Sequence, residues 1–222
     1  MVIFWPLSLF VLGGLNCDQT MINTVELNPS KSATINDFEE DCDCSGAPCP
    51  LFPSVTNGPA KVGYARNYDA GSGLFDCSWW WAEVYRGVIQ FDVASLGAPA
   101  DRITGATLEF DLSTIYDDPI FADNCPNDLL SSIWIVNEPW APKLTLAADF
   151  MTGNTSKPNC IVNHHSVDAS QVVRDWISGA RPNFGFMFIG WDESTPANDE
   201  VTYVTTVTNV KLKVLYTVPA MP

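Results

Sequence analysis

Positive charge is scarce in this chain. Eleven Lys and Arg residues stand against 26 Asp and Glu, a formal net charge of -15. Such a balance opposes polyanions by long-range repulsion, so nucleic acid and anionic membrane surfaces are not expected as partners. Histidine is scarcer still: the only two, His164 and His165, are adjacent. Neighbours on an extended chain face opposite sides, so this pair cannot ligate one metal without distortion. No G-x-S-x-G, H-E-x-x-H or P-loop occurs, which removes the nucleophile elbow, the zinc-protease helix and the phosphate cradle together. An Asp/Glu pair brought together by the fold would still serve for glycoside cleavage. The expectation is a protein that is not an enzyme, with no catalytic residue and no required cofactor. Long hydrophobic runs are missing too. The uncharged start MVIFWPLSLFVLGGLNC is interrupted by Pro6 and ends in Gly13-Gly14, short of the roughly 20 apolar residues that a membrane span requires.

Cysteine is not lacking. Seven occur, more than a reduced cytosolic domain usually keeps, which points to an oxidising, secreted or cell-surface setting with about two or three disulfides. Cys42, Cys44 and Cys49 crowd into DCDCSGAPC, and with Cys77, Cys125 and Cys160 they make the six expected to pair. Cys17 is left over. Sequence does not choose among the connectivities. A zinc reading of the cluster lacks a nearby His and a second C-x-x-C. Asn154-Thr155-Ser156 is a glycosylation sequon.

The chain divides into three stretches. Residues 1–17 form an apolar arm carrying Val2, Ile3, Phe4, Trp5, Leu7, Leu9, Phe10 and Val11. Its length fits a cleaved signal peptide. The missing leading cation, Pro6 and the strand-forming side chains fit an assembly strand instead. Residues 18–60, rich in Cys and Asp, read as a loop-dominated segment with one short strand at Thr24–Leu27. Residues 61–222 read as a β-sandwich, and at 46% hydrophobic content the chain can fill its core.

Within that last stretch, polar and apolar residues alternate at the period of half-buried strands. Val84–Val93 sets Tyr85, Ile89, Phe91 and Val93 against Arg86, Gln90 and Asp92. Ala106–Leu112, Ser132–Asn137, Asn183–Trp191 and Val201–Val218 follow, the last with Val210, Leu212, Val214, Tyr216 and Val218 on one face. One short helix, about 169–178, begins behind Asp168, carries Val172, Val173, Trp176 and Ile177, and stops at Gly179. Short strands, long loops and a lone helix predict an all-β jelly-roll sandwich with disulfide-stapled loops.

The blocks YRGVIQFDVASL (85–96), ITGATLEFDL (103–112), IWIVNEPW (133–140), DASQVVRDWISG (168–179), NFGFMF (183–188) and VKLKVLYTV (210–218) resemble, in order and spacing, DNRLRE-type extracellular domains. The resemblance spans residues about 61–218. It implies a jelly-roll sandwich of the carbohydrate-binding-module kind, secretion, and association with cell surfaces or polysaccharide-active enzymes. Some members bind acidic or neutral glycans. It also implies core roles for Trp134, Trp140 and Trp176. Where the family carries its charged signature, between Phe188 and Val210, this chain has DESTPANDEVTYVTTVTN.

Aromatics and acids supply the candidate sites. In the run Trp79-Trp80-Trp81, the strand phase of Tyr85 places Trp79 and Trp81 on one face and Trp80 on the other. Burying one tryptophan removes about 150–250 Å² from water, an upper bound of about 4–6 kcal/mol. At least one of Trp79 and Trp81 is therefore expected in the core. Trp80 is left to stack on a sugar or to anchor a neighbouring subunit, with Trp79 and Trp191 as further exposed-aromatic candidates. Asp117, Asp118, Asp123 and Asp128 in one loop, and Asp37, Glu39, Glu40, Asp41 and Asp43 in another, offer oxygen ligands for a structural calcium. Neither has EF-hand spacing, and both fit solvated acidic loops. The leading functional expectation is a structural or adhesive extracellular protein that self-assembles by pairing its N-terminal arm with a neighbouring copy. The alternative is a secreted carbohydrate-binding module using exposed tryptophans on a polysaccharide.

Overall fold

Alternation over long stretches demands a sheet that is buried on at least one side. The computed structural model shows how the chain meets that demand; it describes residues 20–40, 54–69, 79–115, 132–141, 150–151, 164–190 and 201–219. Among these are eleven strands: β1 (Thr20–Leu27), β2 (Pro29–Glu40), β3 (Ser54–Asn57), β4 (Ala60–Asp69), β5 (Trp79–Phe91), β6 (Ile103–Ile115), β7 (Ser132–Ile135), β8 (Phe150–Met151), β9 (His164–Asp168), β10 (Phe186–Ile189) and β11 (Val201–Pro219). One α-helix, α1 (Ser170–Ser178), lies between β9 and β10. The fold is an all-β sandwich.

Two strands organise the ladders, and all pairings are antiparallel. One edge of β5 pairs with β2 from Phe91 back to Trp81. Its other edge pairs with β4 from Trp79 to Tyr85, then with β10 from Arg86 to Ile89. β10 continues to β7 and β7 to β8, while β3 flanks β2. This gives a first layer ordered β3-β2-β5-β10-β7-β8. β11 does the same in the second layer. It holds β6 along one edge, and on the other it takes β4 over Val201–Val207 and β1 over Leu212–Pro219. β9 flanks β6. β4 belongs to both layers and joins them.

The main core fills the space between the layers. Ile133, Phe186, Phe188, Ile89 and Phe91 come from the first layer; Leu108, Phe110, Leu212 and Val214 come from the second. Edge-to-face rings lock the layers together, with Phe110 and Phe188 centroids 5.1 Å apart. That arrangement suits the ring quadrupoles. Helix α1 closes one end with Val172, Val173 and Trp176, whose ring meets Phe186 at 5.0 Å. Gly179 ends the helix at φ 76°, the left-handed stop its sequence predicts. The Asp168 carboxylate accepts the Ser170 N–H at 2.9 Å.

Two differences from the sequence reading, and one bulge within a strand it placed, have physical causes. The segment read as loop-dominated supplies β1, β2 and β3. Its Ser and Thr residues hide the strands because their hydroxyls bond backbone carbonyls: Ser32 donates to Gly58 and Thr34 to Pro59, both at 2.7 Å. In β11 the register slips between Thr208 and Lys211, where Asn209 stands at φ 51°. This bulge swaps the inward parity from Thr205 and Val207 to Val210, Leu212 and Val214. The alternation read for Val210 to Val214 holds, and the bulge is why it does not extend upstream. Asp37, Glu39 and Glu40 lie on β2 rather than in a loop. All seven cysteines, the arm 1–17, Asn154, Trp191, Asp41, Asp43, Asp117, Asp118, Asp123 and Asp128 fall outside the described residues.

Where β5 exchanges β4 for β10, three backbones converge. A Cβ on Gly190 would stand 2.8 Å from Gly63 Cα, closer than real Cβ contacts come. Gly190→Ala is therefore expected to force β10 off β4. Phe188→Ala, at a fully buried site, is expected to cost about 3–5 kcal/mol. Urea or guanidinium unfolding of both variants checks this; midpoints equal to wild type would contradict the assigned core.

Candidate functional site

The outer faces of the two layers differ in chemistry. On the second layer, Lys211 Nζ meets Glu26 at 2.9 Å, and Lys213 Nζ meets Glu109 at 2.8 Å and Glu26 at 3.7 Å. Lys211 holds the Glu26 carboxyl below its ordinary range, chiefly through that hydrogen bond. Further along, Asp111 accepts from Asn209 at 2.7 Å and sits 2.8 Å from His164 Nδ1; these two bonds depress its pKa. This face is solvated, and such pairs contribute little to stability.

The first layer is apolar on its outer face as well as its inner one. Ala33, Ile35, Val88, Met187, Ile189 and Val136 form a second buried cluster, with Val55, Trp134, Trp140 and Phe184 packed against it. Burial on both faces explains why FMFI in β10 is a continuous apolar run. At one end of this face lies an open groove of about 700 Å³, within the usual size range of small-ligand sites. Its lining is Lys31, Ser32, Val55, Asn57, Gln90, Pro139, Trp140 and Phe184.

Local structure builds the groove. Lys31 lies opposite Gln90 in the β2/β5 ladder, and Asn57 lies opposite Ala33 in the β2/β3 ladder. The stretch 183–185 clamps onto the end of β5. Asn183 Nδ2 donates to the Phe91 carbonyl at 2.8 Å, Gly185 N–H donates to Asn183 Oδ1 at 3.2 Å, and Gln90 Nε2 donates to the Asn183 carbonyl at 2.6 Å. Gly185 turns at φ 86°, and a Cβ there would collide with the Ile89 carbonyl. The Trp140 indole N–H donates to the Phe184 carbonyl at 2.7 Å, which fixes the ring's orientation. Val136 N–H reaches the Gly185 carbonyl at 2.9 Å. Among the described residues, the lining brings together two aromatic rings, the Gln90 and Asn57 amides and one ammonium. No carboxylate is among the described lining residues.

The structure redistributes the candidate residues. Trp176 is core, whereas Trp134 and Trp140 are half-buried on the outer cluster rather than inside the sandwich. Trp79, Trp80 and Trp81 lie on β5, and their backbones pair without a register break opposite Asp69, Tyr68 and Asn67; their side chains lie outside those described. His164 and His165 sit on β9, one exposed and one buried, as alternation requires. Among the described residues, no group of three or more His, Cys, Asp and Glu is arranged to hold a metal ion. No helix among them is long and apolar enough to cross a membrane. Sequence reasoning missed Gln90, Asn57, Lys31 and Phe184, since only tertiary pairing joins them. Asn183-Phe184-Gly185, a turn signal before an apolar run, was the one available clue.

No known protein family matches the chain, and no curated protein matches it either. The groove itself is testable. Gly185→Ala is expected to displace Phe184 and free the Trp140 indole. Indole Nε1–H exchange, followed by NMR with Trp140→Phe used for assignment, is expected to quicken about tenfold or more as that hydrogen bond opens. Unchanged exchange would contradict the clamp.

Proposed function

We propose that this is a non-catalytic extracellular binding module that holds a glycan chain in the groove on its first layer. The observation that carries the reading is the groove's composition. Sugar rings present C–H faces that stack on aromatic rings and hydroxyls that bond amides, and Trp140, Phe184, Asn57 and Gln90 supply both in one open cleft. The cysteine-rich sequence supports the extracellular setting. Affinity electrophoresis against a panel of soluble polysaccharides tests the reading. Wild type is expected to be retarded by at least one of them. Trp140→Ala is expected to lose about 2 kcal/mol of binding, roughly 30-fold. Retention by none, or equal retention of the variant, would refute it.

A second reading, assembly through the N-terminal arm, is favoured by one feature. Met21 and Ile22 on β1 are 50% and 64% exposed, and β1 pairs only with β11 among the described strands. An apolar segment that leads into an open edge can add a strand to a neighbouring copy. Removing residues 1–15 is then expected to leave a monomer at concentrations where the full chain sediments as polymer. Filaments from the truncated chain would refute assembly through the arm.

A further inference from the structure

Edge strand β9 carries a histidine where a hydrophobic residue would serve. His165 lies directly opposite Phe110 in the β6/β9 ladder. It is 8% exposed, stacks on the Phe110 ring at 5.0 Å and 14°, and its buried Nε2 has no hydrogen-bond partner. A neutral imidazole tolerates this position, whereas an imidazolium would leave a charged donor unpaired against Phe110. β9 has only five residues and, among the described strands, only one partner, β6. Short edge strands lie at the low-stability end of a fold and open locally.

We infer that β9 is an acid-released edge strand, with His165 as the group whose protonation undocks it from β6 while the rest of the sandwich stays folded. Burial, and secondarily the neighbouring His164, lowers the His165 pKa, and Asp111 opposes this only weakly. On β9 the ionisable neighbours are His164 and Asp168. On β6 they are Glu109, held by Lys213 on the outer face, and Asp111. β10 brings the Phe188 ring to Phe110, with centroids 5.1 Å apart. The Asn209 hydrogen bond, and then the one with His164, hold the Asp111 carboxyl below its ordinary range, which favours its ionised form. Because the folded-state pKa of His165 lies below its unfolded value, the docked state is fully stable above the unfolded imidazole pKa of about 6.5 and loses stability as pH falls through it. Release would bare the β6 edge at Thr107–Asp111, a template for an incoming strand.

Hydrogen exchange of the full chain at pH 7 and pH 5, corrected for intrinsic rates, tests the inference. The amides of 164–168 and their β6 partners are expected to lose protection about tenfold or more at pH 5, while the β1/β11 ladder keeps its own. His165→Phe, which keeps the ring stack, is expected to abolish the acid effect. His165→Gln, neutral at both pH values, is expected to do likewise should the phenylalanine variant fold poorly. His164→Gln is expected to retain it. Uniform protection across all strands at both pH values in wild type would overturn the inference, as would an acid effect that survives in the His165 variants.

Discussion

Strand β5 is the constraint on which the structure depends. Its backbone satisfies β2 along one edge and divides the other between β4 and β10, so both of its edges are used. Its alternate side chains serve two cores: Ile89 and Phe91 face the sandwich interior, and Val88 faces the outer cluster. A strand held on both edges and both faces cannot shift by one residue without inverting every one of those contacts. The exchange of partners at Tyr85 and Arg86 is what converts a curled sheet into two layers. It requires Gly190 at the fork, because a Cβ there would stand 2.8 Å from Gly63 Cα, and Gly63 itself adopts a positive φ of 133°.

From that constraint follows the difference between the two outer faces. The second layer ends in lysines and carboxylates paired at the surface and needs no cover. The first layer has an apolar outer face, because β10 is apolar on both sides, and Val55, Trp134, Trp140 and Phe184 pack against it. The groove lies on this two-faced layer, beside the clamp that Asn183 makes on the end of β5. Rigid strands carry its floor, and a hydrogen-bonded turn carries its aromatic wall. Such a division favours a preorganised site.

Much of the sandwich was legible in the sequence because burial on one face writes a period of two. Leu108, Phe110 and Leu112 announce themselves in that way, and Val172, Val173 and Trp176 announce the helix. The bulge at Asn209 was hidden, since one inserted residue changes parity without changing composition. β1 to β3 were hidden because Ser32 and Thr34 look like loop residues until their hydroxyls find the carbonyls of Gly58 and Pro59. The groove was least legible. Lys31, Asn57, Gln90 and Phe184 have no shared spacing, and Trp140, although it stands out as a tryptophan, reads as core by its position after β7. Their meeting is a product of the β2/β3 and β2/β5 registers.

Residue-resolved NMR titration with a retained oligosaccharide tests most directly the claim that function resides on the first layer's outer face. Shift changes are expected to be confined to Lys31, Asn57, Gln90, Trp140 and Phe184 and their neighbours, with Glu26, Lys211 and Lys213 unmoved. Perturbations centred on those charged residues of the second layer, with the groove silent, would contradict it.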